Sequence, residues 1–316
     1  MDNLSENTAL LQRIKALEEK YKLTGQNLLD NLEGLLHQDY LKYWDYVHLD
    51  TLLSLQNPKT DFPDEMIFIT YHQITELYFK LILWEISQIA NRENLDVVFF
   101  QQRLQRIVSY LEHLCHSFDI MVEGMEFEQF RQFRMALLPA SGFQSAQFRK
   151  IEICATDFGH LLTPSAQGEY DNNIKIETVW EDIYWRSGSI DEKTGKITIT
   201  AQHFQEKYKE DFIYLAEEYK QKNLWQCYLK ADPQQKNNDL REILRQIDYL
   251  MNVEWRLAHF KSAVRYLKAG NKAIEATGGT NWQKYLPPRF QRTIFYPALW
   301  TEEEKEQWGK NWVEQQ

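Results

Sequence analysis

The sequence predicts an all-α protein, a single large bundle-like helical domain, on three observations. Glycine and proline are sparse, 12 and 8 in 316 residues, so few points oblige the chain to turn. Apolar residues recur at three-and-four spacing over long stretches, which is the period of a helix face. Strand-like alternation is confined to KITIT, after Asp191 to Gly195, which leaves room for at most a small β-hairpin.

Leu10, Leu11, Ile14, Leu17 and Tyr21 outline an amphipathic N-terminal helix with Ser5 and Asn7 as candidate caps. A long second helix is expected from about Asp64 to Ala90, with Ile67, Tyr71, Ile74, Tyr78 and Leu81 on one face and apolar surface beyond that stripe. Phe99, Leu104, Val108, Leu111, Cys115 and Phe118 mark a third, and Phe204, Tyr208, Phe212, Leu215 and Tyr219 a fourth. The fifth starts with Leu240, Ile243, Leu244, Ile247, Leu250 and Met251, continues towards Leu267 and ends at Gly270. Residues from about Thr163 to Asn173 are polar and turn-prone. With no repeat or linker, residues 1–316 are expected to form one domain, with 1–38 as a helical arm.

Composition narrows the function. Hydrophobic residues make up 43% and aromatic residues 14%, including 10 Trp, 17 Tyr and 17 Phe. That excludes disorder and provides flat interior surface suited to a planar ligand. The formal charge is −10, with Lys and Arg dispersed among acidic residues, so neither nucleic acid nor an anionic membrane is the expected partner. Three cysteines without paired spacing suggest neither a disulfide framework nor a zinc knuckle, and fit a reducing cytoplasm. MDNLSENTALLQ lacks an export signal and no 18-residue apolar run follows, so export and membrane spanning are not expected.

Among the eight histidines, His113 and His116 flank Cys115, but no second Cys/His pair answers them as a zinc site requires. No Glu-x-x-His pair supports a di-iron bundle. His72 lies in FITYHQITELYFK, one turn after Phe68 and one before Glu76; pattern alone fits a core histidine bonded to Glu76 or a carbonyl. His259 lies in EWRLAHFKSAVRYL, with small neighbours Ala258, Ser262 and Ala263 and with Trp255 one turn back. Small neighbours leave room for a macrocycle beside an axial imidazole, though they serve plain packing too.

Arg134 sits in EFEQFRQFRMALLPASGFQSAQFRKIE, either on a solvated amphipathic helix or at the edge of an apolar pocket, where a guanidinium would pair with an amino acid carboxylate. The following Pro-Ala-Ser-Gly break places Ser141 and Gly142 where backbone can approach a ligand closely. In ATGGTNWQKYL, Thr277 precedes a glycine pair that is a simple turn or a closing flap, without the spacing of a P-loop.

In order along the chain, YWDYVHLDTLLSLQ, DEMIFITYHQITELYFKLIL, FRMALLPASGFQSAQFRKIE, EWRLAHF, ATGG and FYPALW resemble the tryptophan 2,3-dioxygenase family over roughly residues 40 to 300. The resemblance implies a helical domain enclosing a heme pocket and a heme b-dependent dioxygenase that acts on L-tryptophan and O2. It implies His259 as the proximal iron ligand and His72 as the distal residue bonding the indole N–H. Phe68 would pack on the indole, Arg134 would hold the substrate carboxylate and Thr277 its polar end. Tyr43 and Tyr46 match an aromatic pair lining the family's pocket, and Ser141 and Gly142 would border the cofactor. A homotetramer is implied too, with the N-terminal arm packed on a neighbouring subunit. The family's GTGGSSG reads ATGGTNW here and its Leu-Trp after the distal histidine is Leu77-Tyr78. The altered flap keeps a second enzyme open, a histidine-ligated heme oxygenase or hydroxylase for a modified indole or tyrosine. Because the same patterning serves packing alone, a helical interaction protein without catalysis is the third reading.

Overall fold

Asn7 opens the first helix, α1 (Thr8–Leu23), by accepting a hydrogen bond from the Leu10 N–H at 3.1 Å. The chain leaves α1 through Gly25 at φ +70°, a left-handed position that glycine occupies without a Cβ penalty. Three shorter helices follow, α2 (Leu28–His37), α3 (Tyr43–Tyr46) and α4 (Leu49–Leu53). The chain divides into two units, residues 1–55 and 56–316, and these four helices belong to the first. No side chain of α1 is buried, and Leu11, Ile14 and Leu17 are exposed on it. The structure, a computed structural model, describes residues 7–37, 42–138, 140–168, 170–171, 174–187, 189–190, 196–232, 237–269, 272–273, 287–288 and 292–310.

The second unit is built on α5 (Asp64–Ala90), which has the limits read from the sequence. Asp64 and Glu65 in its first turn complement the helix dipole. Glu65 is also buried, accepting hydrogen bonds from the Lys59 and Thr60 N–H groups at 2.6 and 2.8 Å. The inward face runs through Tyr71, Thr75, Phe79, Ile82, Ile86 and Ile89. Ile74 and Leu81, expected on the packed stripe with Tyr71, lie exposed instead, together with Leu77 and Trp84. A helix apolar on most sides does not reveal by spacing which side its neighbours will cover.

Asp96 caps α6 (Val97–Ser117), accepting from the Phe99 N–H at 2.8 Å, and α6 packs along α5. Phe100, Leu104 and Val108 of α6 are fully buried. Truncating one of them, as in Leu104→Ala, removes about 2–5 kcal/mol. Two short helices, α7 (Asp119–Glu123) and α8 (Phe127–Phe133), turn at Gly124, where any Cβ would collide with the Ile120 carbonyl. Next comes α9 (Ala146–Ala155), which packs on α5, and the short helices α10 (Pro164–Gln167), α11 (Ile176–Val179) and α12 (Tyr184–Ser187).

KITIT does not make a strand. Ile197 forms one isolated bridge with Ile190, and Thr198 then caps α13 (Ile199–Tyr219) through the Ala201 N–H at 3.4 Å. A short alternating run without a partner strand yields to the capping hydroxyl at its centre. The paired strands lie elsewhere, as the antiparallel β1 (Lys268–Ala269) and β2 (Lys272–Ala273).

After α14 (Leu224–Ala231), the helix expected from Leu240 to Leu267 is interrupted. It comprises α15 (Asn238–Tyr249), a π-helical turn over Leu250–Glu254, and α16 (Trp255–Leu267). Gly270, its expected end, lies outside the described residues. Helix α17 (Glu302–Glu306) begins with a capping box between Thr301 and Glu304. Among the described residues, no helix is long and apolar enough to cross a membrane.

Candidate active site

His72 on α5 and His259 on α16 are held in the same way. Nδ1 of His72 lies 2.7 Å from the carbonyl oxygen of Phe68, and Nδ1 of His259 lies 2.9 Å from that of Trp255. A carbonyl oxygen only accepts, so each Nδ1 carries the proton and each Nε2 presents a lone pair. In both cases the acceptor is four residues earlier and belongs to an aromatic residue whose ring packs on the imidazole. The Phe68 and His72 ring centroids are 4.2 Å apart, and those of Trp255 and His259 are 4.7 Å apart, edge to face.

The two imidazoles belong to one aromatic site. Phe118, at the end of α6, lies 4.4 Å from His259 and 5.8 Å from Tyr71, whose ring is 6.4 Å from His72. Helices α5 and α16 both pack against α6, α7 and α8. Phe133 of α8 closes on Phe68 at 5.7 Å, and Phe130 joins Phe68 at 6.1 Å to Tyr266 of α16 at 4.5 Å. Tyr266 donates from its hydroxyl to the Val122 and Met125 carbonyls, both at 3.1 Å, fastening α16 to the segment around α7.

Burial lowers the pKa of both histidines. His259 falls to about 4, chiefly through desolvation, with the Trp255 hydrogen bond opposing and the charges of His72 and Arg256 adding to the fall. His72 is lowered by desolvation as well, against the Phe68 carbonyl and the charge of Glu76. Both are therefore neutral near pH 7, the state in which imidazole binds a metal or accepts a hydrogen bond. Glu76 does not bond His72; its carboxylate accepts from Gln147 at 2.8 Å.

Arg134 directly follows Phe133, in a 3-10 turn over Arg134–Leu137, and is buried with 4% of its surface exposed. Of its two readings, the solvated amphipathic helix is excluded by that burial. Desolvation, with the charge of Arg131, pulls its pKa below the usual arginine value.

The Ser141 N–H donates to Gln144 at 3.2 Å, and Gly142 opens a 3-10 turn that packs on α13. A Cβ at Gly142 would meet open space. Tyr43 and Tyr46 are exposed on α3 in the first unit. Thr277 lies outside the described residues. Phe118, Phe130 and Phe133 were not singled out as site residues in the sequence. The signal that could have found them is the repeated aromatic-x-x-x-His pattern at 68–72 and 255–259, which calls for further aromatic packing around each ring.

Among the described residues no group of three or more His, Cys, Asp or Glu converges on a metal position. The arrangement is instead that of two single neutral imidazoles set among packed aromatic rings of a helical protein. The model of the tryptophan 2,3-dioxygenase family matches residues 33–178, which include His72 and Arg134. A tryptophan 2,3-dioxygenase of a Nocardioides species is 30% identical over 280 residues, covering 82% of this chain and 92% of that protein. One from a Ruegeria species is 31% identical over 271 residues, covering 83% and 92%. That of Bacillus anthracis is 29% identical over 293 residues, covering 85% and 95%. The chain belongs to the tryptophan 2,3-dioxygenase family, and so to the dioxygenases among oxidoreductases.

Proposed function

We propose that this chain carries heme b on His259 and inserts both atoms of O2 across the indole C2–C3 bond of L-tryptophan, giving N-formylkynurenine. The observation that carries this reading is the pair of neutral imidazoles, each with Nδ1 held by a backbone carbonyl, around one aromatic cluster. The donor chemistry of His259 suits an axial ligand: its proton is fixed on Nδ1, its Nε2 lone pair is available, and burial keeps it neutral. When bound, the ferrous heme supplies the activation of O2.

The remaining work falls to the chain. His72 accepts the indole N–H at Nε2, because its other nitrogen is committed to Phe68, and so keeps that proton on the substrate nitrogen. Phe68, whose ring packs tilted against His72, supplies a flat face for the indole. Arg134 holds the substrate carboxylate from the neighbouring turn, with Thr277 on the polar end of the amino acid. Ser141 and Gly142 border the cofactor. Clamping tryptophan at both ends replaces a costly encounter with a fixed orientation, and the aromatic lining excludes water. Both oxygen atoms enter one product, so the balance needs no further reductant.

The assembly we propose is a cytoplasmic homotetramer. Two exposed apolar surfaces support it, Leu11, Ile14 and Leu17 on α1 and Ile74, Leu77, Leu81 and Trp84 on α5. Packing the N-terminal arm on a neighbouring subunit would cover the first.

The test is direct. The heme-loaded protein is reduced without oxygen, given L-tryptophan and then O2, and the product is identified by mass and absorbance. N-formylkynurenine is the expected product; loaded, reduced protein that leaves tryptophan unchanged overturns the proposal.

A further inference from the structure

A ladder of buried polar side chains crosses the π-helical turn that precedes His259. Asp248, fully buried on α15, accepts from Asn252 Nδ2 at 2.8 Å. Asn252, fully buried within the π-turn, accepts in turn from Arg256 Nη2 at 3.2 Å. Each step is four residues, so the three side chains tie α15, the wide turn and the first turn of α16 together. Both ends are anchored outside this helix. Asp248 also accepts from the Phe295 and Tyr296 N–H groups at 2.9 and 3.1 Å and from Trp300 Nε1 at 3.0 Å. Arg256 donates to the Tyr184 hydroxyl at 2.8 Å and lies 3.6 Å from the Glu152 carboxylate.

A wide turn resets the rotation of everything after it, by roughly 100° for one extra residue. The consequence is visible in burial. An uninterrupted helical period would carry Glu254 inward after Ile247 and Met251, yet Glu254 is exposed, while Val253 and Leu257 pack with Trp308. The same rotation orients Trp255, whose carbonyl fixes the His259 Nδ1 proton, and the charge of Arg256 reaches the His259 ring. Burying three polar side chains in one stretch of helix is costly unless each is held, and here each is.

We propose that Asp248, Asn252 and Arg256 are positioning residues for the heme ligand, fixing the π-turn and thereby the direction of His259 Nε2. This rests on the heme-binding reading given above and adds to it a control of ligand geometry by residues that never touch the cofactor.

The test compares the hemin-loaded, reduced wild-type chain with Asn252→Leu, which keeps the branching of the side chain and cuts both rungs, and with Leu104→Ala. Leu104 is a core residue of α6 near the end opposite Phe118 and provides a loss of stability without touching the ladder. The readouts are the iron–histidine stretching band in resonance Raman spectra and the rate of heme transfer to apomyoglobin. Asn252→Leu is expected to shift or split the band and speed transfer about 10-fold, at the low end for groups that orient a metal ligand. Leu104→Ala is expected to lower the melting temperature with the band unmoved. If Asn252→Leu does not fold, Tyr184→Phe, which removes one partner of Arg256, carries the same comparison. A band at the wild-type position in the ladder variant overturns the proposal. A wild-type chain that takes up no hemin overturns the reading beneath it, and this inference with it.

Discussion

The Trp255 carbonyl oxygen lies 2.9 Å from Nδ1 of His259, and this contact decides what the imidazole can do. It fixes the proton on one nitrogen, frees the other as a ligand, and sits where the π-turn gives way to α16. Phe68 and His72 repeat the arrangement on α5 at 2.7 Å. The two histidines therefore have the same local chemistry, and the different roles proposed for them rest on the family resemblance.

His72→Ala is expected to retain heme and to turn over L-tryptophan less efficiently. The substitution removes one neutral hydrogen bond to the indole, worth up to about 1.4 kcal/mol, so kcat/KM falls about tenfold. Steady-state kinetics with L-tryptophan checks this, and unchanged kcat/KM would remove His72 from the substrate site.

Arg134→Leu is expected to leave the Soret band in place and raise KM for L-tryptophan about 10- to 100-fold, the range for a charged hydrogen bond of about 1.5–3 kcal/mol. Indole derivatives lacking the carboxylate should be affected much less. Equal weakening of both would move the carboxylate clamp elsewhere.

Acid should weaken the heme-free fold through His259. Its folded pKa of about 4 lies below the usual histidine value, so the unfolded chain binds the proton more readily between the two. The contribution is complete above about pH 6.5 and is lost as pH falls towards 4, on the order of 3 kcal/mol in all. His72, also lowered, acts in the same sense. Asp248 acts in the opposite one, because burial raises its pKa to about 6 and the folded state takes up its proton first as pH drops. Urea denaturation of wild type and His259→Leu at pH 7 and pH 4 separates these contributions. The stability difference between the two proteins should shift by about 3 kcal/mol in favour of the variant at low pH, and a constant difference would refute the depressed pKa.

Much of the fold was legible because helix limits are set locally. Asp64 to Ala90 was readable from an unbroken apolar period, and Asn7 from its place one residue before Thr8. Two details were not legible: Thr198 offers a helix cap that leaves KITIT with one isolated bridge, within the small hairpin allowed for, and a π-turn held by Asp248, Asn252 and Arg256 runs through the fifth helix without a glycine or proline to announce it. The histidines were legible as candidates, and the burial of Arg134 sets aside the solvated reading that spacing left open. Phe118 could not be assigned to His259 from sequence, since that contact joins helices 141 residues apart in the chain, from 118 to 259.

Thr198→Ala checks the start of α13. Loss of its cap to the Ala201 N–H is expected to cost about 1 kcal/mol by urea denaturation, within the range for N-cap threonines. A neutral substitution would return KITIT to the status of an extended segment.

The claim that an imidazole at position 259 grips the heme is tested most directly by His259→Gly with and without added imidazole. Wild-type protein is expected to bind one heme with the spectrum of a histidine-ligated ferrous iron. The variant should lose that spectrum and regain it when free imidazole fills the gap. A glycine variant that keeps the wild-type spectrum without imidazole would show that the iron is held by some other residue.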